Sequence, residues 1–391
     1  MSDSPLPTEV TILGVHVKSG GYPNVTFRVD ALKGAPELQV REVGVPFQSP
    51  GRSGGLARGS GSLWRVLGVV GRLAASHARL LFLWLLRRQG RAERVYVPYP
   101  AIGVLLGLGL LPRRWRPARV IADCFISLYD TVVGDRKLLR AGTRSAELLR
   151  RLEARAYRAA DVVLVDTELN VAYLEKTFGL ERERIAALPL AINEGAYRYA
   201  RYVPEGATCR VVFVGTFVPL QGVETIAEAA VLLRNDAGIE VRLVGSGQAS
   251  ANVERILEDQ RCRNLRWSRE WMADDDLAEE VRQADVCLGV FGRGEKAQRV
   301  WPLKNYAYMA SGRAIITGDT ACARELLSRT GGAAFVTVPP GDAGALAEAI
   351  RRLAADPSER VRLAGEARAF FDTPLRSEVA TRQLVSVLRS A

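Results

Sequence analysis

The stretch that decides the fold is residues 210–215, Arg-Val-Val-Phe-Val-Gly, an apolar run that ends at a glycine. Residues 239–247, Ile-Glu-Val-Arg-Leu-Val-Gly-Ser-Gly, repeat the arrangement, and a helical pattern follows each glycine turn. A buried strand, a glycine turn and an amphipathic helix form the repeating unit of a doubly wound parallel α/β domain. The C-terminal half of the chain therefore predicts one such domain.

The N-terminal half carries the same pattern. Residues 10–17 are apolar and run toward Gly20 and Gly21, and a helical stretch follows. Three further runs are typical of buried parallel strands: residues 94–97, 119–122 and 161–165. Residues 193–209 lose the periodicity and mark a linker. We expect an α/β protein of two Rossmann-like domains facing a central cleft, residues 1–196 and 197–374.

The composition is that of a folded protein. Of 391 residues, 48% are hydrophobic and 25% are charged, which excludes a disordered or fibrous chain. Five scattered cysteines and two histidines make a disulfide framework and a zinc site unexpected, and favour a reducing, cytoplasmic location. The polar start of the chain predicts no signal peptide.

The positive charge is concentrated in one segment. The net charge is +11, and residues 50–160 contain 21 Lys and Arg against 6 Asp and Glu. This asymmetry indicates an anionic partner, whether a lipid surface, nucleic acid or phosphates. Nucleic acid is disfavoured, because the basic residues are not interleaved with aromatic ones and no usual recognition module is visible.

One apolar segment within this basic region requires separate treatment. Arg65, Arg72 and Arg79 recur every seven residues in residues 63–86 and form one stripe of a helix. A bilayer-spanning helix would not tolerate three arginines there. The pattern predicts an amphipathic helix that lies on a membrane or packs on the sheet, and packing is the commoner role of such helices.

Glycines at predicted strand ends are the first candidates for a phosphate site. A glycine lets the backbone approach a phosphate closely, and the following helix offers free N–H groups. Strand-to-helix turns also need glycine for steric reasons alone, so both interpretations remain open. The candidates are Gly20, Gly21, Gly215, Gly245 and Gly247.

A second candidate is the basic loop expected at residues 294–304. It places Lys296, Arg299 and Lys304 just before or at a helix start, between two buried strands. The carboxyl ends of strands are where open α/β sheets bind ligands, so these cations suit a diphosphate. Trp301 and Pro302 indicate a packed loop, whereas the alternative is a solvated basic one.

A third candidate follows the predicted strand at 119–122. Asp123, Ser127 and Asp130 bring carboxylates and a hydroxyl to the edge of the sheet, where they could bind sugar hydroxyls or help a proton leave. Asp123 or Ser127 could equally cap a following helix. Residues 274–276, three aspartates, suit the first turn of a helix better than a metal site.

The motifs together resemble the retaining family-four glycosyltransferases of the GT-B fold. The C-terminal half is similar to that family at residues 212–224, 243–248 and 302–312, and the N-terminal half resembles a bacterial subgroup at residues 22–23, 127–131 and 160–167. The resemblance implies a nucleotide-sugar donor held by the C-terminal domain and an acceptor held by the N-terminal one. It also implies retention without a metal or other cofactor, and a last helix, within residues 375–391, that returns to the N-terminal domain.

The chain departs from the family pattern at the donor site. Thr216 and Gln221 stand where the family often has an arginine and a lysine that touch the diphosphate, and the family's glutamate pair falls on Arg299 and Ala307. The histidine common near Asp123 is also missing. We hypothesise that three cations replace the lost charge from the other side of the site: Lys296, Arg299 and Lys304. Residues 267–271 resemble the family's loop that reads the nucleobase. Trp271 in this segment would stack on the base or pack in the core.

The leading functional hypothesis is a cytoplasmic, membrane-associated hexosyltransferase. It would use a nucleotide sugar for polysaccharide biosynthesis and act on a lipid-linked or polysaccharide acceptor at the inner face of an anionic membrane. The missing donor residues motivate an alternative, a catalytically degenerate GT-B scaffold or regulatory partner. A GT-B sugar-nucleotide epimerase is a further alternative with less support from the motifs.

Overall fold

The computed structural model describes residues 7–17, 23–47, 63–87, 93–258, 260, 262–270 and 272–390, with backbone only for residues 15–17, 46, 47, 63–70 and 72–74. The chain forms two compact units. The first contains the described residues up to Val133, then Leu138–Ala191 and the chain from Glu378. The second contains Gly134–Lys137 and Ile192–Ser377. The predicted domains meet at residues 196 and 197, and the chain changes unit after Ala191.

The first unit is built on a six-stranded parallel sheet of order β2-β1-β3-β4-β5-β6. Its strands are β1 Thr8–Val17, β2 Leu38–Phe47, β3 Arg94–Val97, β4 Arg119–Asp123, β5 Val162–Val165 and β6 Ile185–Ala187. Its helices are α1 Pro23–Lys33, α2 Leu63–Arg87, α3 Ile102–Leu110, α4 Arg144–Tyr157 and α5 Glu168–Phe178, with α14 Ser377–Arg389 at the end of the chain.

Both faces of this sheet are covered, which is why its strands are apolar throughout. Tyr96 points to the face where α1 and the last helix pack, so that Leu384 joins the same core. Val95 and Val97 point to the opposite face, where α2 to α5 pack. The last helix thus belongs to the first unit, as predicted. Trp84 of α2 is buried in the second of these cores, so this part of α2 packs on the sheet.

The second unit repeats the architecture with a parallel sheet of order β12-β11-β10-β7-β8-β9. Its strands are β7 Cys209–Val214, β8 Ile239–Val244, β9 Leu265–Ser268, β10 Val286–Leu288, β11 Ala314–Gly318 and β12 Val336–Val338. Its helices are α6 Val223–Leu232, α7 Ser250–Leu257, α8 Asp274–Arg282, α9 Glu295–Arg299, α10 Leu303–Ala310, α11 Ala321–Arg329, α12 Ala343–Ala355 and α13 Pro357–Phe370.

The strand-and-helix pattern predicted from the sequence is confirmed, with one correction near the basic segment. The residues after Gly294 form the short helix α9, not a loop. Glu295 in its first turn and Arg299 in its last turn complement the helix dipole. The sequence analysis considered only the positive charges of this segment and therefore did not use this helix signal. Residues 274–276 form the first turn of α8, as expected. Among the described residues, none of the helices combines the length and apolarity that a membrane crossing needs.

Candidate functional site

Two glycine loops of the second unit meet at the carboxyl ends of β7 and β8. Gly245 has a φ of +128°, and a Cβ on it would lie 2.0 Å from the carbonyl oxygen of Gly215. A Cβ on Gly247 would lie 2.6 Å from the carbonyl oxygen of Phe217. The Phe217 N–H donates to the Ser246 carbonyl at 3.1 Å. These glycines are therefore required because the two loops pack backbone against backbone.

The Lys304 side chain lies against these loops. Its Nζ donates a 2.5 Å hydrogen bond to Oε1 of Gln221 and lies 3.6 Å from the centre of the Phe213 ring. A Cβ on Gly215 would lie 2.8 Å from this Nζ, so the lysine head sits beside the space that glycine leaves open. Burial lowers the pKa of Lys304 well below its usual value. Gln221 is neutral, so this hydrogen bond leaves the ammonium charge uncompensated.

A tight turn holds Gln221 in place. Gly222 has a φ of +61°, and a Cβ on it would lie 2.4 Å from the carbonyl carbon of Phe291. The Phe291 N–H donates to the Gln221 carbonyl at 3.0 Å. On the other side of the contact, a Cβ on Gly292 would lie 2.4 Å from the Leu220 carbonyl oxygen. The loop after β10 thus fixes the backbone that carries the hydrogen-bond partner of the lysine.

The other two cations of the basic segment lie on α9. Arg299 is half-buried, and its Nη1 donates to the Glu295 carbonyl at 3.0 Å, within the same helix. Lys296 is half-buried in the first turn. Trp301 is 2% exposed, and its ring centre lies 4.9 Å from that of Phe335, so this segment is packed as expected. Of the three predicted cations, the structure brings Lys304 to the glycine loops.

The remaining donor-site predictions have mixed outcomes. Thr216 is exposed beside the first glycine loop. Trp271 lies outside the described residues, as do Gly20 and Gly21. Trp267, which the sequence analysis did not assign, stacks on Phe217 with ring centres 5.3 Å apart and donates to the Gly245 carbonyl at 2.8 Å. One feature of the sequence could have identified Trp267: it lies near the end of β9, and the neighbouring strand β8 leads into the Gly245 loop.

In the first unit, Asp123 is fully buried in an ion pair. Arg28 of α1 donates from Nη1 to Oδ2 of Asp123 at 2.5 Å, and the hydroxyl of Tyr96 donates to the same oxygen at 3.1 Å. Burial, and then the nearby Asp123 carboxylate, raise the pKa of Tyr96 well above its usual value. Within the described part of the chain, Oδ1 of Asp123 and Nδ2 of Asn24 are buried without a hydrogen-bond partner. Sequence reasoning missed Arg28, an arginine at a buried position of α1.

Ser127 and Asp130 lie at the start of the next helical segment. The Ser127 Oγ accepts a hydrogen bond from the Asp130 N–H at 3.1 Å, the geometry of a helix N-cap. The buried Glu153 carboxylate accepts from the N–H groups of Leu128 and Tyr129, at 2.8 and 2.6 Å. Burial raises the pKa of Glu153. The capping alternative thus describes the Ser127 contact, and Glu153 is a second residue that the sequence analysis missed.

A protein-family model matches part of the second unit. Residues 208–356, which include both described glycine loops and Lys304, match the family model Glycosyl transferases group 1. The MMP α-(1→4)-mannosyltransferase of Mycolicibacterium hassiacum is 22% identical over 275 residues, 67% of this chain and 63% of that protein. An exopolysaccharide phosphotransferase of Streptomyces coelicolor is 30% identical over 220 residues, 56% of this chain and 21% of that protein. The chain thus spans less than two thirds of either relative's length.

Solved structures match almost the entire chain. Sucrose-phosphate synthase of Thermosynechococcus elongatus superposes with a TM-score of 0.73 at 16% identity, covering 98% of both chains. Anabaena HepE, in complex with UDP and glucose, has a TM-score of 0.68 at 13% identity and covers 98% of this chain and 100% of its own. Two Rossmann-like units, each built on a parallel sheet, together with these matches define a GT-B fold, as predicted.

Proposed function

We propose that the protein transfers a hexosyl group from a nucleotide-diphosphate sugar to a lipid-linked or polysaccharide acceptor, with retention, at the cytoplasmic face of the membrane. The observation that carries the proposal is the Lys304 ammonium, held against Gly215 and Gln221 at the carboxyl ends of the second sheet. A half-buried cation beside backbone without side chains suits a diphosphate.

A positively charged lysine side chain suits a leaving group whose negative charge grows during the reaction. A diphosphate oxygen would replace Gln221 Oε1 as the acceptor of the Lys304 hydrogen bond. As the glycosidic bond breaks, negative charge grows on that diphosphate, and a fixed ammonium in a partly dry site stabilises it more than water would. In this proposal the diphosphate itself helps to deprotonate the acceptor hydroxyl, so no metal ion or other cofactor takes part.

The comparisons support a nucleotide sugar as donor. The structures of Anabaena HepE include complexes with UDP and with UDP-glucose. The Mycolicibacterium relative is by name a mannosyltransferase, which supports sugar transfer, and the Streptomyces relative is by name an exopolysaccharide enzyme. A lipid-linked or glycan acceptor is the proposal most consistent with these names and with the basic first unit.

Donor binding is the first test. Melting temperatures would be measured with UDP-, GDP-, ADP- and dTDP-sugars, because a ligand that binds only the native state raises its melting point. We expect one nucleotide class to stabilise the protein, and Lys304→Met to remove that shift. Lys176→Met, which changes an exposed lysine of the first unit, is the matched control and should retain it. If no nucleotide sugar stabilised the unaltered protein, the proposal would fail.

Turnover separates the enzyme from the scaffold alternative. Thr216, Gln221 and Ala307 stand where the family has charged residues, which is the observation that favours a degenerate site. We expect release of nucleoside diphosphate with membrane-extracted acceptors, and an NMR spectrum of the product that retains the donor's anomeric configuration. Donor binding without turnover across such acceptors would favour the scaffold instead, and an inverted product would contradict retention.

A further inference from the structure

Helices α2 and α3 of the first unit pack side by side in the same direction. A Cβ on Gly103 would lie 2.3 Å from Nε2 of His77, and a Cβ on Gly107 would lie 2.1 Å from Cδ1 of Leu81. Each step of four residues along α3 therefore matches a step of four along α2. In this register the C-terminal ends of the two helices lie next to each other, α2 ending at Arg87 and α3 at Leu110.

Large apolar side chains are exposed at this shared end. Phe82 and Leu86 of α2 are 61% and 67% exposed, and Leu110 of α3 is 74% exposed. Their neighbours Leu80 and Trp84 are buried in the core below, so α2 has a second apolar side that the sheet does not cover. Trp115, 42% exposed, follows in the short turn after α3. Several large exposed apolar side chains near one end of two packed helices are typical of an interaction surface.

The stretch of chain that contains these two helices is rich in arginine. Residues 63–121 contain eleven arginines and a single acidic residue, Glu93. The side chain of Glu93 is 6% exposed and pairs with Arg41 at 3.2 Å, so its charge is compensated within the fold. Arg87, Arg113 and Arg114 are exposed. We name the exposed group the α2–α3 end surface and define it by these residues: Phe82, Arg87, Leu86, Leu110, Arg113, Arg114 and Trp115.

We propose that the α2–α3 end surface docks the protein on an anionic lipid bilayer. Apolar side chains beside arginines suit the boundary between acyl chains and phosphate headgroups, where the apolar groups insert and the guanidinium groups stay with the phosphates. A nucleic acid would satisfy the arginines and leave Phe82, Leu86 and Leu110 in water. The surface belongs to the first unit and Lys304 to the second. The proposal therefore rests on the membrane location in the proposed function and not on the donor chemistry.

The expected strength of membrane binding has two contributions, one from the arginines and one from the apolar side chains. Each arginine near a negative membrane surface contributes on the order of 1 kcal/mol, about fivefold in the partition coefficient. Partial insertion of three large apolar side chains contributes more than tenfold, at roughly 25 cal/mol per Å² of apolar surface removed from water. Binding should therefore require anionic lipid, weaken as salt rises and depend on both groups of side chains.

Vesicle co-sedimentation of the 391-residue chain tests the proposal. We expect binding to vesicles that contain phosphatidylglycerol and little binding to pure phosphatidylcholine. The variant Phe82→Ser/Leu86→Ser/Leu110→Ser should lose at least about tenfold in partitioning. The matched control Leu148→Ser/Leu152→Ser changes exposed leucines of α4, which are 60% and 43% exposed, and should bind like the unaltered protein.

A charge variant provides the second arm. Arg113→Gln/Arg114→Gln should lower binding about 20-fold or more and flatten its salt dependence, whereas Arg155→Gln, at an exposed position of α4, should not. The proposal is overturned if the unaltered protein ignores phosphatidylglycerol vesicles, or if the control leucines matter as much as the surface. Donor-induced melting shifts, measured without lipid, should be unchanged in the surface variants. That readout separates a failure of docking from a failure of the proposed transferase activity.

Discussion

Arg28 and Asp123 form a buried ion pair that ties helix α1 to the end of strand β4. The two side chains are 3% and 0% exposed, and Nη1 of Arg28 lies 2.5 Å from Oδ2 of Asp123. The second guanidinium nitrogen, Nη2, donates to the carbonyls of Leu188 and Pro189 at 3.2 and 2.7 Å. One arginine thus joins three parts of the first unit, which gives Asp123 a structural role whether or not it also contacts a substrate.

Removing either partner should destabilise the first unit strongly. Asp123→Ala leaves the Arg28 guanidinium buried without its counter-charge, and such a loss typically costs about 3–5 kcal/mol. Arg28→Met should cost a similar amount. The double variant Arg28→Met/Asp123→Leu should be less destabilised than the sum of the single variants, as measured by urea unfolding. A single variant of normal stability that lost turnover would instead show that Asp123 acts on the substrate.

Donor affinity should depend on the proton of Lys304. Burial lowers the pKa of this ammonium below its ordinary value of 10.5, and a bound diphosphate would raise that pKa again. At pH values near and above the lowered pKa of Lys304, donor binding should therefore take up protons, and its affinity should fall as the pH rises through that pKa. Calorimetry of donor binding in buffers of different ionisation enthalpy measures this uptake. Lys304→Met should abolish it, and uptake that persisted in this variant would assign the proton elsewhere.

Two glycines of the site should respond very differently to alanine. Gly245→Ala would place a Cβ 2.0 Å from the Gly215 carbonyl oxygen at a φ of +128°, so we expect a loss of about 3 kcal/mol or more in unfolding free energy. Gly215→Ala meets mainly the movable end of Lys304 and should cost about 1 kcal/mol or less. It should nevertheless weaken donor binding, because it displaces the ammonium. Equal stability losses in the two variants would contradict this packing.

The sheets could be predicted because burial on both faces leaves a strong signal. A strand such as β5 is apolar at every position, and in the second unit Gly215 and Gly245 end the apolar runs of β7 and β8. The short helix α9 gave a weaker signal, because five residues carry less than two turns of periodicity. The predicted site residues of the second unit lie at strand ends for the same topological reason.

The pairings inside the site could not be predicted. Lys304 and Gln221 are 83 residues apart, and Arg28 and Asp123 are 95 apart, so no local pattern connects them. The sequence predicts three cations near a helix start. It does not show the direction in which each side chain points, and that direction decides that Lys304 reaches the glycine loops. Glu153 was missed for a related reason, since a glutamate within a helix is ordinarily exposed.

Glu153 should make stability depend on pH in a direction opposite to most carboxylates. Burial raises its pKa in the folded state above 4.5, so the folded protein binds more protons than the unfolded chain between 4.5 and that raised value. Stability is therefore fully present below 4.5 and falls as the pH rises through the raised pKa. Glu153→Gln removes this titration and keeps one acceptor oxygen, so it can accept from only one of the Leu128 and Tyr129 N–H groups, which bond different carboxylate oxygens in the unaltered protein.

Urea unfolding of both proteins between pH 4.5 and 7 measures the effect. The unfolding free energy of the unaltered protein, relative to Glu153→Gln, should decline with pH by up to about 1.4 kcal/mol per unit. Glu147→Gln is the control: hydrogen bonds from Arg150 and Arg151 lower the Glu147 pKa to about 2, so its titration lies below this range. A flat difference for Glu153 across the range would mean that the folded protein accommodates its charge as well as water does.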